Sequence, residues 1–283
     1  MTQLTQPSVA DAFRACVSLA QRGTDHRVDE QTASAYERSV NEGENRLNRS
    51  WPALLATGAV GGIDVSIGVV AFLLVDDATH NKVLAALGFT IGFVALTLAH
   101  SELFTENFLV PIAAMTAKRA GIVALLRLWG STALMNLVAG WGMMAFVAGA
   151  FPSLRKVAVT SGADYNSTGI GWRSFALAVL AGVAITLMTW MEHSSESVGS
   201  HVVAAVAMAF VLAIGTLHHV IILSLEMFAA LIYGASFGYA DWAANAGWAA
   251  LGNIAGGIGL VTGLRLLQAG KEIISEQRQV ADQ

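Results

Sequence analysis

The adjacent histidines His218 and His219, just after Gly215, are the side chains in this 283-residue chain best suited to chemistry. An imidazole exchanges a proton near neutral pH, and one set in a long apolar segment is a candidate for the wall of a solute path. Successive helical residues point about 100° apart, so one ring facing a path leaves the other facing protein. His219 is the candidate pore residue; the structural alternative is a core histidine bonded to a carbonyl. A second polar group comprises Glu102, Thr105, Glu106 and Asn107. Thr105 and Asn107 suit the path of an anion, where hydroxyl and amide groups replace hydration. Glu102 and Glu106 would repel an anion, so they are expected to anchor loop backbone or face the cytoplasm, with helix capping as the plainer reading. Asp64 either fixes its helix by a hydrogen bond or relays protons. Asn136 and Asn253 are expected to donate amides to freed carbonyls, and Glu226, seven residues after His219, to close a polar contact inside the bundle.

Other chemistries find no support. Glu192, His193, Glu196 and His201 look like metal ligands, but their spacing matches no metal motif and the stretch reads as a solvated loop. No nucleotide loop and no nucleophile arrangement is present, so an enzyme is not expected and no cofactor is called for. The net charge of −4, without a large basic patch, argues against nucleic acid. Cys16 has no partner for an internal disulfide.

These residues must be positioned by membrane helices. With 55% hydrophobic and 13% charged residues and a mean hydropathy of +0.58, the chain is too apolar for a soluble globule of this size. Ordinary spans are expected over residues 51–75, 128–150, 172–191 and 242–267. Two further stretches, 83–117 and 202–234, are overlong: the first would run about 52 Å as a straight helix against roughly 30 Å of hydrocarbon. Each carries polar residues at its middle, and non-helical backbone survives at that depth only inside protein or beside water. The reading is therefore an all-α membrane protein with six crossings, the second and fifth broken.

Six crossings put both termini on one side of the bilayer. Arg38, Arg46, Arg49, Lys118, Arg119, Arg127, Arg265, Lys271 and Arg278 fall on the side of the termini, against Lys82, Arg155, Lys156 and Arg173 opposite. That bias makes the termini cytoplasmic. Residues 1–50 read as a cytoplasmic helical segment, with Val9, Phe13, Val17 and Ala20 at helical spacing. Residues 51–268 form the pore domain and 269–283 a solvated cytoplasmic tail, while 161–171 reads as an exterior loop.

An internal repeat runs through the spans. Asn136-Leu137-Val138-Ala139-Gly140 resembles Asn253-Ile254-Ala255-Gly256-Gly257, and Glu102 precedes Asn136 by the same thirty-four residues by which His219 precedes Asn253. Spans one to three match four to six, and because three is odd the copies enter from opposite sides as inverted repeats. Gly58 and Gly62, Gly88 and Gly92, Gly252 and Gly256, and Gly259 and Gly263 are small-xxx-small pairs suited to close helix packing.

Ser101-Glu102-Leu103-Phe104-Thr105, His219 and Gly252-Asn253-Ile254-Ala255-Gly256-Gly257 together resemble the formate/nitrite transporter family over about residues 40–268, and Glu42-Gly43-Glu44-Asn45-Arg46-Leu47 followed by Arg49 is similar to its YfdC-like branch. The resemblance implies an aquaporin-like subunit of a homopentamer in the inner membrane. Each subunit would hold its own pore, with Leu103, Phe104 and Thr105 near the cytoplasmic constriction and His219 at the centre. The family often places glycine three residues before its central histidine, which counted from Gly215 makes His218 the alternative. Members passing formate or nitrite usually have Asn four residues after that histidine, where this chain has Leu223, and many have a lysine near helix four, where the nearby cation is Arg173. The expected function is passage of a small monovalent anion or its conjugate weak acid, proton-coupled or passive, with Leu103, Phe104 and Leu223 as constriction walls. The alternatives are a pore for a neutral solute and a non-transporting scaffold.

Overall fold

A break in an apolar helix leaves backbone groups without partners, so the fold is best followed from one such break to the next. The structure, a computed structural model, describes residues 30–281, and all regular structure among them is helical. Cys16 and the apolar positions Val9, Phe13, Val17 and Ala20 lie outside the described residues. Helix α1 (residues 30–47) leads into α2 (Trp51–Thr79), and Arg127 holds the junction by donating from Nη2 to the carbonyls of Leu47 at 2.6 Å and Arg49 at 2.9 Å. Helix α3 (Lys82–Ala99) starts at Asn81, whose side chain accepts from the amides of Val83 and Leu84, and stops at His100 in the left-handed region with φ 53°. A short 3-10 turn (Phe104–Phe108) and α4 (Val110–Thr116), with Pro111 in its first turn, complete this stretch.

Helix α5 (Ile122–Ala150) is followed by α6 (Arg155–Thr168) and α7 (Trp172–His193). Helix α8 (Val198–Ile214) ends at Gly215, and α9 (Val220–Ile232) restarts after Thr216, a β-branched residue held at φ 46°. That conformation is costly for such a residue and marks the turn as constrained by its surroundings. Helix α10 (Tyr239–Ile254) runs through a π-helical stretch (Ala255–Thr262) into α11 (Gly263–Ala281), which kinks at Gly270. Five stretches are long and apolar enough to cross a membrane: α2, α3, α5, α7 and Tyr239–Lys271; α8 and α9 are shorter apolar helices.

Two expectations are corrected. The stretch 161–171 is no loop up to Thr168, because α6 buries Ala158, Gly162 and Tyr165 at i, i+4 and i+7 and packs them on α9. A Cβ on Gly162 would come within 2.4 Å of that of Ala230. The tail is helical to Ala281: Ile273 and Ile274 pack against Tyr36, Val40 and Ala113, and Arg278 Nε donates to the Thr116 carbonyl at 2.8 Å. Of the four small-residue pairs, Gly259 and Gly263 make no tight contact within the subunit, since a Cβ on Gly259 meets nothing within 4 Å. Glycine is required where helices cross the asparagines. A Cβ on Gly62 would sit 2.5 Å from the Asn136 carbonyl oxygen, and one on Gly182 2.1 Å from that of Asn253.

Candidate functional site

Each break is braced by one buried asparagine. Asn136 Nδ2 donates to the carbonyls of Gly58 at 2.7 Å and Glu102 at 3.0 Å, while its Oδ1 accepts from the Phe104 amide at 2.9 Å. Asn253 Nδ2 donates to the carbonyls of Ala178 at 2.8 Å and His218 at 2.9 Å, while its Oδ1 accepts from the Val220 amide at 2.9 Å. One donor and the acceptor of each amide thus satisfy groups that the interrupted helices leave free, and the other donor ties the break to a carbonyl of an unbroken helix, α2 or α7. By these bonds the counterpart of Glu102 is His218, one residue before the His219 that sequence spacing pairs with it. The second half holds one more residue between its break and its asparagine.

The two breaks meet at Thr105 and His219, both fully buried, with Thr105 Oγ1 2.6 Å from His219 Nε2. His219 is the N-cap of α9, and its Nδ1 accepts from the Ile222 amide at 3.3 Å. A neutral ring that accepts at Nδ1 carries its proton on Nε2, so Nε2 donates to Thr105. The Thr105 hydroxyl has no other partner among the described residues, which leaves its hydrogen for a third group.

Each break also lines a cavity. The larger, about 580 Å³, is lined by Ser101 and Glu106 of the first break, by Arg38, Arg46 and Arg49, and by Glu192, His193 and His201. The other, about 350 Å³, is lined by Gly215, Thr216 and His218 of the second break with Lys82, Asp164 and Arg173. Leu103, Thr105, His219 and Leu223 line neither and are fully buried. The cation near helix four is therefore not Arg173 alone: Lys82, from the start of α3, shares its cavity. The His218 ring stands edge-on to Tyr165 at 5.2 Å between centroids.

The remaining candidates are spread around this axis. Glu106 Oε2 accepts from the Leu103 amide at 2.9 Å, and Asn107 Nδ2 donates to the Leu103 carbonyl at 3.2 Å while its Oδ1 accepts from Arg46. Phe104 turns its ring into an aromatic group with Phe108 and Trp129, at 5.1 and 5.9 Å. Glu102 Oε1 is paired with Arg46 at 3.1 Å and with Arg49, while its Oε2 is buried without a partner. Asp64 accepts from Ser101 Oγ at 2.6 Å. Glu226 does not reach His219 but accepts from Ser161 and, at 3.2 Å, from the Tyr165 hydroxyl. The stretch from Glu192 to His201 is not a free loop: Thr97 donates to Glu192 at 3.1 Å, and the His193 and His201 rings bond the carbonyls of Thr189 and Ser195. Among the described residues no group of three or more His, Cys, Asp or Glu is arranged to hold a metal.

Arg46 and Arg49 were not recognised as site residues from the sequence, although the i, i+4 spacing of Glu42 and Arg46 was a legible sign of a pair on one helix face. Burial works against the Glu42 charge, but Arg46 and Arg49 outweigh it and hold the carboxyl below the ordinary range. Arg46, despite its burial, is held above its ordinary value by Glu102, Glu42 and Glu106.

A polytopic helical membrane protein with a buried threonine–histidine contact joining two braced helix breaks, and a cavity at each break, belongs to the class of transport proteins, not enzymes. The chain is a member of the formate/nitrite transporter family, whose sequence model matches residues 33–267. It is similar to the inner membrane protein YfdC of Escherichia coli (strain K12), 25% identical over 226 residues that cover 76% of this chain and 71% of that protein. It is also similar to the formate channel BtFdhC of Bacillus thuringiensis, 27% identical over 237 residues that cover 78% and 89%. Among solved structures, a pentameric formate channel with formate bound aligns over 76% of this chain and 97% of its own, with a TM-score of 0.65 at 20% identity. An FNT family ion channel aligns over 83% and 98%, with a TM-score of 0.73 at 16% identity. At such identities the likeness is one of fold.

Proposed function

We propose that this chain forms a pore for a small monovalent anion that crosses its narrowest part as the conjugate weak acid. The observation that carries the reading is the 2.6 Å contact of Thr105 and His219, which joins two helix breaks that each line a cavity. On one side Lys82, Arg173 and His218 offer positive charge and donors to an arriving anion. Leu103 and Leu223, flanking the pair in sequence, serve as apolar walls, and desolvating a bare charge between them is expensive, whereas a neutral acid crosses more readily. There the Thr105 hydroxyl meets the solute, and His219 orients it and takes part in proton exchange.

The matched bonds of Asn136 and Asn253 support two inverted three-helix repeats with six crossings, in which α3 with α4, and α8 with α9, each make one broken crossing. The likeness to a pentameric channel supports a homopentamer, and that to an inner membrane protein supports the same membrane. Both termini face the cytoplasm on the charge bias, with residues 1–50 and 269–283 flanking a pore domain of 51–268.

Stopped-flow flux of formate, nitrite, chloride and glycerol into proteoliposomes, from about pH 5 to about pH 8, tests the reading with the native chain and His219→Ala. Anion flux that rises at low pH, with a pH dependence altered by His219→Ala, is expected. Glycerol flux without anion flux would make this a neutral-solute pore. Identical flux in both proteins at every pH would remove His219 from the mechanism.

A further inference from the structure

Glu226 lies outside the pathway just described, yet it is buried on α9 and in no ion pair among the described residues. Its two oxygens accept from Ser161 and Tyr165 of α6. Glu102, the buried carboxyl at the first break, is instead paired with two arginines. Hydroxyl partners fit either form of a carboxyl, because a hydroxyl donates to a carboxylate, the stronger bond, and accepts from a carboxylic acid. A small polar cavity of about 90 Å³ reaches Glu226 between α2, α6 and α8. Lys82, Asp164 and Thr216 line both this cavity and the 350 Å³ one beside His218, so the carboxyl adjoins the vestibule through shared walls. Tyr165 adds a second link, since its hydroxyl bonds Glu226 and its ring packs on His218.

We propose that Glu226 is a proton-exchange site for the vestibule lined by Lys82, Arg173 and His218. Proton uptake forms an O–H bond on the Glu226 carboxylate, the proton coming from vestibule water; release reverses it. In the neutral state the site leaves the positive charge of the vestibule free to draw in an anion, and in the charged state it opposes entry from this side alone. The groups that share its surroundings are Asp76 of α2, Lys82 of α3, and Asp164 and Tyr165 of α6, with His218 behind Tyr165. The faces that α5 and α10 turn to α9 contribute Gly140 and Trp242, which carry no charge. The consequence for flux rests on the transport reading; proton binding does not.

The test uses the full-length protein in lipid, with two readouts. Infrared difference titration of the carboxyl C=O band from about pH 5 to about pH 9 is compared among the native chain, Glu226→Gln and Tyr165→Phe. One titrating band is expected to vanish in Glu226→Gln and to shift its midpoint upward in Tyr165→Phe, where the carboxylate loses a donor. In proteoliposomes, the ratio of formate flux in Glu226→Gln to that in the native chain is expected to rise with pH only when the pH is changed on the vestibule side. No band lost in Glu226→Gln, or a flux ratio flat with pH on both sides, overturns the proposal. A titrating band in a protein that carries no tested solute supports the proton site and overturns the transport reading. If Glu226→Gln does not assemble, the Tyr165→Phe midpoint decides: a shifted midpoint supports the site and an unshifted one overturns it.

Discussion

The turn between α3 and α4 and the turn between α8 and α9 have the same brace and different surroundings. Asn136 and Asn253 each close one carbonyl and one amide of their break and tie it to a carbonyl of an unbroken helix. Around the first, α1 adds Arg46 and Arg49 on Glu102, and Arg46 also reaches Asn107. At the corresponding place in the second stands His218, which meets a tyrosine ring and an open cavity. The backbone problem is the same in both halves, so the solution is shared. The groups beyond it diverge, which makes the first break an ionic clamp and the second a vestibule wall.

The comparison can be broken most forcefully at the asparagines. Asn136→Leu and Asn253→Leu each strand two buried backbone groups at a break, at a cost of about 1–3 kcal/mol per group. Both variants are expected to lose several kcal/mol in unfolding from lipid bicelles, by similar amounts. A large loss in one and none in the other would show that the two braces are not equivalent.

The clamp sharpens the contrast. Replacing Arg46 and Arg49 together with Met leaves Glu102 buried and without its ion pairs, a change that typically costs about 3–5 kcal/mol. Adding Glu102→Gln is expected to restore most of that loss. His218→Gln, at the corresponding position of the second break, is expected to leave unfolding nearly unchanged.

The smallest effect is the response of α1 to acid. Arg46 and Arg49 hold the Glu42 carboxyl below its ordinary range against the opposing effect of burial. A depressed carboxyl adds stability above the pKa of the unfolded chain, about 4.3 for Glu, and that stability is lost as pH falls through the lower folded value. Hydrogen exchange of the amides in residues 30–47, corrected for intrinsic rates, is therefore expected to increase below about pH 4 while that of α9 stays constant. Equal responses in α1 and α9 would remove Glu42 as the cause.

Much of this was legible in the chain. The overlong apolar stretches 83–117 and 202–234 located both interruptions, because hydrocarbon thickness caps the length of a straight crossing. Polar residues in those interruptions nominated Thr105 and His219 separately, but nothing local joins residues that lie 114 positions apart. Equal spacing to Asn136 and Asn253 misplaced the correspondence by one residue, since a turn absorbs an extra residue without changing hydropathy. Helix α6 was missed because only Ala158, Gly162 and Tyr165 of it are buried, and a stripe that narrow scarcely alters its polar average. Lys82 stood in a loop by sequence and entered a cavity only through the packing of α3 against α8.

By itself, then, the sequence determined the membrane class, the family, the broken stretches and the polar groups within them. Those depend on length, hydropathy and residue type, which solvent and lipid act upon along the chain. Tertiary structure alone decided that Thr105 meets His219, that Glu102 is held by α1, and that Glu226 faces hydroxyls beside a vestibule. Such pairings depend on which surfaces come within about 3 Å of each other, a distance set by the close packing of helices far apart in the chain.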